Sequence, residues 1–175
     1  LLIKPSFGHD PNQNLPSHKI FEKFNLPTKG ESKPIGFYAK GCLSGGVQLD
    51  DTGPNWQIMR PSRNRNWGHP SVISYIKDLS KSATQIGWKG LYIGDIAAPR
   101  GGPMPYGHQS HQTGLDVDIW LTPPKSLTLT KKERDKIKAV SVRKKNLKEV
   151  NNNWTLNHAK ILKAAASDNR LSLIH

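Results

Sequence analysis

The stretch GHQSHQTGLDVDIW, residues 107–120, decides how this chain is read. Its second half alternates: Leu115, Val117, Ile119 and Leu121 interleave with Asp116, Asp118 and Trp120. A period of two is the mark of a strand with one face buried, so Asp116 and Asp118 share the open face. Its first half carries His108 and His111. A fully extended chain between His111 and Asp118 would hold them up to about 23 Å apart. Gln112, Thr113 and Gly114 offer a place to double back, because glycine accepts backbone angles that a Cβ resists. His111 is then expected to face Asp118.

A neutral imidazole and a carboxylate are ligands that suit Zn²⁺, and two ligands of one zinc must lie within about 4 Å of each other. A third protein ligand would leave one position for a water with a pKa near 7, a nucleophile at neutral pH. Spacing alone equally describes two surface-loop histidines and a strand-capping aspartate, which is the commoner outcome.

Outward from this stretch, residues 97–110 form a loop, since Pro99 to Gly107 alone holds three Gly and three Pro. Leu91, Tyr92 and Ile93 read as a short buried strand. Val72, Ile76, Leu79, Ala83 and Ile86 fall at helical spacing, with Pro70 in the first turn and Gly87 just past the end. Ile35 to Cys42 is strand-like, and Gly45 and Gly46 are expected to turn into a second short strand at Val47 to Leu49, closing a hairpin. Thr130 and Glu133 form a capping box for a short helix. A basic run, VRKKNLKEV, follows. Trp154, Leu156, Ala159, Leu162, Ala165 and Ala166 outline a last helix. Residues 1–34, punctuated by five prolines, are expected to be an extended arm, and 35–175 one domain.

Composition limits the classes. At 175 residues the chain has the size of one domain, and its 35% apolar content with 15 Gly argues against disorder. No run of about 18 apolar residues exists, which excludes a helical membrane span. No secretory leader is visible at LLIKPSFGHD, so none is expected or it has been removed. The 26 Lys and Arg against 13 Asp and Glu give +13, a field that attracts nucleic acid or an acidic wall polymer alike. Lys131, Lys132, Lys144 and Lys145 read as a solvated basic face. The lone Cys42 excludes an internal disulfide and is either a small buried hydrophobe or a thiol paired outside the chain. His69 reads as a helix-entry residue, His158 as packed against the core, and His9 and His18 as solvated.

The string SHQTGLDVD resembles the penicillin-insensitive murein endopeptidases, in the metallopeptidase group that also holds lysostaphin and the zinc D-Ala-D-Ala peptidases. The group's pattern of His, six residues and Asp, with Gly three after the His, matches His111, Gly114 and Asp118. Similarity continues in KGCLSGG at 40–46, QIMRPSRNRNWGHP at 57–70 and LYIGDIAAPRGG at 91–102, and more loosely in the last helix. The resemblance implies that His111 and Asp118 are zinc ligands and that His108 is a ligand or a neighbour of one. It implies an α+β fold, with helices on one side of a small, mostly antiparallel sheet and the zinc on its open face.

By the same resemblance the substrate is a peptide cross-link of peptidoglycan, such as D-alanyl to meso-diaminopimelate. A zinc-bound water would cut it with no acyl-enzyme, so β-lactams would not inhibit, and the location would be the periplasm. The family's remaining ligand and its catalytic histidine come from an HxH segment near its C-terminus, and no HxH occurs here. No catalytic histidine is therefore assigned. His175 reads as a strand residue, the chain as one cut short, and the partner of Cys42 as lying in the missing part. A basic nucleic-acid-binding module, or a wall-binding relative without catalysis, is the alternative reading; neither the charge nor five Trp accounts for the His and Asp cluster. Expressed beside a longer form that carries an HxH segment, the 175-residue chain is expected to bind zinc weakly and to release no muropeptide monomers from sacculi. Cleavage by both forms at one rate would show the site complete within these residues.

Overall fold

The computed structural model describes residues 14–174, so the readings of His9 and His175 fall outside it. The elements in chain order are α1 (Ser17–Phe21), β1 (Lys33–Phe37), β2 (Lys40–Ser44), β3 (Val47–Gln48), β4 (Thr52–Gly53), β5 (Trp56–Ile58), β6 (Trp67–Gly68), α2 (Pro70–Gln85), β7 (Leu91–Ile93), β8 (Ile119–Trp120), α3 (Lys131–Lys136) and α4 (Leu156–Ala166). A 3₁₀ turn, Pro61–Arg63, precedes β6. The architecture is α+β. A four-stranded sheet runs β4-β5-β7-β8, with two two-stranded sheets, β1-β2 and β3-β6, beside it. All pairs are antiparallel except β5 with β7, which α2 connects as a crossover.

The core explains the arrangement. Val72, Ile76, Leu79 and Ala83 of α2 are buried against Trp56 and Ile58 of β5 and Leu91 and Ile93 of β7. Burying each such aliphatic side chain contributes roughly 1.5–3 kcal/mol. His69 caps α2, its Nδ1 accepting from the Ser71 backbone N–H at 3.3 Å. At the other end Gly87, at φ +100°, lets Trp88 N–H reach back to the Ala83 carbonyl at 3.0 Å. This is the Schellman closure that glycine favours. Helix α4 adds Ile161 and Ala165 to the same core.

The opposite face of the sheet carries Gln57, Tyr92 and Trp120. Tyr92 and Trp120 meet edge to face, with ring centroids 6.5 Å apart. Part of this face is covered by the chain beyond β8: Gln57 exchanges two hydrogen bonds with the Leu129 backbone, and Tyr92 OH donates to the Ser126 carbonyl. The remainder is open.

Several sequence expectations need correction. Ile35 to Cys42 is not one strand: the chain turns at Tyr38 and Ala39, pairing Gly36 with Gly41. Gly45 and Gly46 do not close a hairpin, because Val47 and Gln48 pair with Gly68 and Trp67 instead. The strand expected over 115–121 reduces to Ile119 and Trp120, since its partner β7 ends at Ile93. Leu115 is 50% exposed, although Val117 and Ile119 do pack on the core. The last helix buries His158, Ile161 and Ala165, whereas Leu156 lies in solvent. The capping box between Thr155 and His158 turns that face inward. Within the segment read as an extended arm, Ser17–Phe21 is a helical turn and β1 begins at Lys33. The described part of that segment, from residue 14, is tied down by Thr28, whose hydroxyl accepts the Gly45 N–H at 2.7 Å.

Gly114 takes φ +69°, and a Cβ there would stand 2.7 Å from Leu43 Cδ2 and 3.1 Å from Gly68 Cα. Gly114→Ala is therefore expected to cost about 1–3 kcal/mol through both strain and contact. Urea unfolding of the variant against the parent checks this, and an unchanged midpoint would contradict it.

Candidate metal centre

The site forms where β7 and β8 run out. Beyond the regular ladder, Gly94 N–H donates to the Asp118 carbonyl at 2.7 Å, and Asp118 N–H donates to the Asp95 carbonyl at 2.9 Å. A Cβ on residue 94 would meet the Asp118 Cβ at 2.9 Å, so only glycine allows the two segments to come this close. Asp118 alternates with the core residue Ile119 and so projects from the face away from α2.

His111 comes back to meet it, as the spacing with Gly114 predicts. The His111 backbone is left-handed, at φ +65°. Histidine is among the residues that tolerate this region. Asp116 holds the turn, its Oδ2 accepting the His111 backbone N–H at 3.2 Å and lying 2.9 Å from ring Nδ1. With Nδ1 beside Asp116, ring Nε2 lies 3.4 Å from Asp118 Oδ1. A carboxylate on one ring nitrogen fixes the tautomer and orients the other, the usual support of a ligating histidine.

His108 completes the group. Its Nε2 lies 3.4 Å from Asp118 Oδ2 and 3.6 Å from Asp95 Oδ2, and its ring packs edge to face on that of His111. One donor atom each from His108, His111 and Asp118 falls within 4.8 Å of the others. Bonds of about 2.1 Å in a tetrahedral site place ligand atoms about 3.4 Å apart. Each imidazole lies at that distance from one oxygen of Asp118, His108 from Oδ2 and His111 from Oδ1, and two imidazoles with one carboxylate are a donor set suited to a divalent transition metal.

Charge follows from the same contacts. His111 is only 2% exposed. Burial alone would depress its pKa, but Asp116 and Asp118 outweigh burial and push it up to about 9. Burial would raise the Asp118 carboxyl, and His111, His108 and Arg63 pull it below the usual range. The metal-free site at neutral pH is thus an imidazolium clasped by two carboxylates, and a cation entering it replaces a proton.

Sequence reasoning did not single out the residues that brace this group. Asp95, 4% exposed, accepts from Arg65 at 2.8 Å and from Arg63 at 3.0 Å on the same oxygen. Arg65 also donates to the Tyr106 carbonyl and lies over its ring, which anchors the loop that carries His108. Removing Asp95 would leave Arg65 buried and unpaired, a loss of about 3–5 kcal/mol. Gln112 pins the other side: its amide bonds Gly41 N–H and the Ala39 and Gln109 carbonyls. The signal for Asp95 was a charged residue two positions after a buried strand; the two arginines are brought to it by the 3₁₀ turn that ends at Arg63 and the left-handed Asn64, at φ +52°, between them. His69 and His158 stand apart as structural residues, His158 bonding Thr155 and the Leu121 carbonyl. Lys131, Lys132, Lys144 and Lys145 are exposed.

With this geometry established, likeness to known proteins is informative. The family model described as penicillin-insensitive murein endopeptidase matches residues 34–175. A curated protein of Haemophilus influenzae named penicillin-insensitive murein endopeptidase is 37% identical over 145 residues, covering 83% of this chain and 51% of its own length. Proteins of the same name from Salmonella paratyphi B and Salmonella newport are 36% identical over 155 residues, covering 88% of this chain and 56% of theirs. The chain thus spans about half the length of these relatives.

The raised pKa sets a pH dependence. A histidine whose folded pKa exceeds its unfolded value, near 6.5, stabilises the fold fully below pH 6.5 and loses that contribution as pH rises through about 9. The metal-free protein is expected to lose thermal stability across that interval, and His111→Asn to flatten the loss. Metal uptake at pH 7 is expected to release about one proton, read by calorimetry in buffers of different ionisation enthalpy. Uptake without proton release would contradict the protonated state.

Proposed function

Because the chain belongs to the family of penicillin-insensitive murein endopeptidases, we propose that it carries the metal-binding part of a zinc peptidase that hydrolyses peptide cross-links of peptidoglycan in the cell envelope, in the periplasm. One observation carries the reading: His108, His111 and Asp118 converge to within 4.8 Å at an open sheet face. His111 and Asp118 hold the zinc, with His108 at the edge of its coordination sphere. When bound, zinc supplies Lewis-acid chemistry, lowering the pKa of water and polarising a carbonyl.

The chain's own residues do the rest. Asp116 keeps the proton on His111 Nδ1, so that Nε2 presents its lone pair to the site. Asp95, tied to Arg65 and Arg63, holds the edge against which His108 rests. The buried His111 ring keeps water from the inner side of the group, leaving approach from the open face. No serine or cysteine nucleophile takes part, so no acyl-enzyme forms and β-lactams have nothing to mimic. Among the described residues no helix is long and apolar enough to cross a membrane. Residues 35–175 act in this reading as a single domain, with residues 25–28 bonded to its loops.

In the longer form that carries an HxH segment, His111→Ala and Asp118→Ala are each expected to abolish stoichiometric zinc binding, measured by equilibrium dialysis with atomic emission. His108→Ala is expected to weaken it by about 10- to 100-fold, as losses next to a ligand do. A loss as complete as that of His111→Ala would make His108 a full ligand. Undiminished zinc in both His111→Ala and Asp118→Ala would remove the assignment.

A further inference from the structure

On the same open face, a cleft of about 230 Å³ begins at His108 and Asp118 and is walled by Arg60, Arg63, Trp120 and Lys138. Sites for whole drug-sized ligands run to roughly 300–1,000 Å³, so this one suits a single residue-sized portion of a longer substrate. Its charge is unbalanced. Asp95 accepts both Arg65 and Arg63 on one oxygen, and the buried Arg65 alone already matches it. Arg63 therefore retains an excess charge, and its other guanidinium nitrogens donate no hydrogen bond among the described residues. The Arg60 guanidinium is held by the carbonyls of Arg134 and Asp135 and lies 5.6 Å over the Trp120 ring, with no ion pair among the described residues. Lys138 has no ion pair there either. Asp118 is the other carboxylate of the wall; it is engaged by His111 and His108, and Arg63 acts on it only through space, without a hydrogen bond.

Cations left over beside an indole face call for an anion carried on a hydrocarbon body. We propose that the cleft is a carboxylate subsite, in which Arg63 and Lys138 receive the carboxylate borne on the carbon next to the amide nitrogen of the bond to be cut, and Trp120 supports that residue's hydrocarbon part. This rests on the peptidase reading above. In a D-alanyl to meso-diaminopimelate cross-link, the amide nitrogen sits on a stereocentre that also carries a free carboxylate. Successive Cα atoms are 3.8 Å apart. A carbonyl placed at the edge formed by His108 and Asp118 therefore brings that carboxylate to the mouth of a cleft that starts at the same two residues. The second carboxylate of diaminopimelate lies several bonds further away and is not the group received. A neutral amide in this position would leave the cations unmatched, which is how a polar site rejects an analogue.

The test uses a D-alanyl-meso-diaminopimelate peptide, joined through the D-centre amine, in three forms: both carboxylates free, the one next to the amide nitrogen amidated, and the distal one amidated. Each is titrated calorimetrically into the chain held at a zinc concentration that saturates it. Amidation next to the nitrogen is expected to raise Kd at least about tenfold, the size of one charge-assisted hydrogen bond, and distal amidation to leave it within about twofold. Lys138→Gln and Arg63→Gln should each shrink the discrimination and the double variant should abolish it, whereas Lys132→Gln, on α3 outside the cleft, should keep it. Near-UV circular dichroism verifies the fold of Arg63→Gln, and Lys138→Gln, at an exposed position, tests the proposal independently. Equal affinity for all three forms, discrimination at the distal carboxylate, discrimination surviving in the double variant, or no saturable binding of the free form would each overturn the subsite. The two readings fail separately. Cross-link hydrolysis without discrimination removes the subsite alone, and discrimination in binding without hydrolysis by any form of the protein removes the peptidase reading alone.

Discussion

The close approach of Gly94 to Asp118 is the constraint on which the site depends. Two hydrogen bonds past the end of the β7-β8 ladder, at 2.7 and 2.9 Å, hold the segments together after regular pairing has stopped. They place two carboxylates of opposite duty side by side. Asp95 turns to the arginines and becomes structural, whereas Asp118 turns to the open face and meets the histidines. The core beneath, built by α2 on β5 and β7, makes that placement rigid, because Ile93 and Ile119 are both packed into it. A ligand set assembled from a strand end and a loop inherits the precision of the strand only if something fixes the loop. Gln112 and Arg65 do so from opposite sides, each bonding backbone carbonyls that a shifted loop would leave unpaired.

His111 shows how local conformation and chemistry are linked. Its left-handed backbone and the φ of +69° at Gly114 together reverse the chain within four residues. The Asp116 carboxylate accepts the backbone N–H of that turn and lies 2.9 Å from the ring Nδ1. A group that stabilises the turn thus also fixes which imidazole nitrogen faces the site. Folding and the orientation of the His111 ring are coupled through this one carboxylate, which together with Asp118 pushes the His111 pKa up to about 9.

Much of this was legible in the residues. Alternation from Val117 to Trp120 gives the faces correctly, and the doubling back at Gly114 brings His111 to Asp118. The period of α2 and its Pro and Gly boundaries are also plain. What was not legible depends on partners distant in the chain. Nothing local says that Val47 pairs with Gly68 rather than with the strand before it, or that Leu156 faces water while Ile161 is buried. Asp95 was hidden for the same reason: its role is set by Arg63 and Arg65, some thirty residues earlier in the chain. The net charge of +13 suggests an acidic partner without locating it. Arg63, Lys138 and Trp120 line one cleft beside His108 and Asp118.

The central claim is that His108, His111 and Asp118 form one metal-binding unit in which the His111 ring is oriented by Asp116. Long-range ¹H–¹⁵N correlation spectra of the histidine side chains, recorded as zinc is added to the chain, test it most directly. The account predicts that Nε2 of His111 moves to the position of a metal-coordinated nitrogen while its Nδ1 stays protonated. The Nε2 of His108 should respond in the same titration, and His69 and His158 should not move. Coordination through His111 Nδ1, or a His111 resonance that zinc leaves in place, would contradict it.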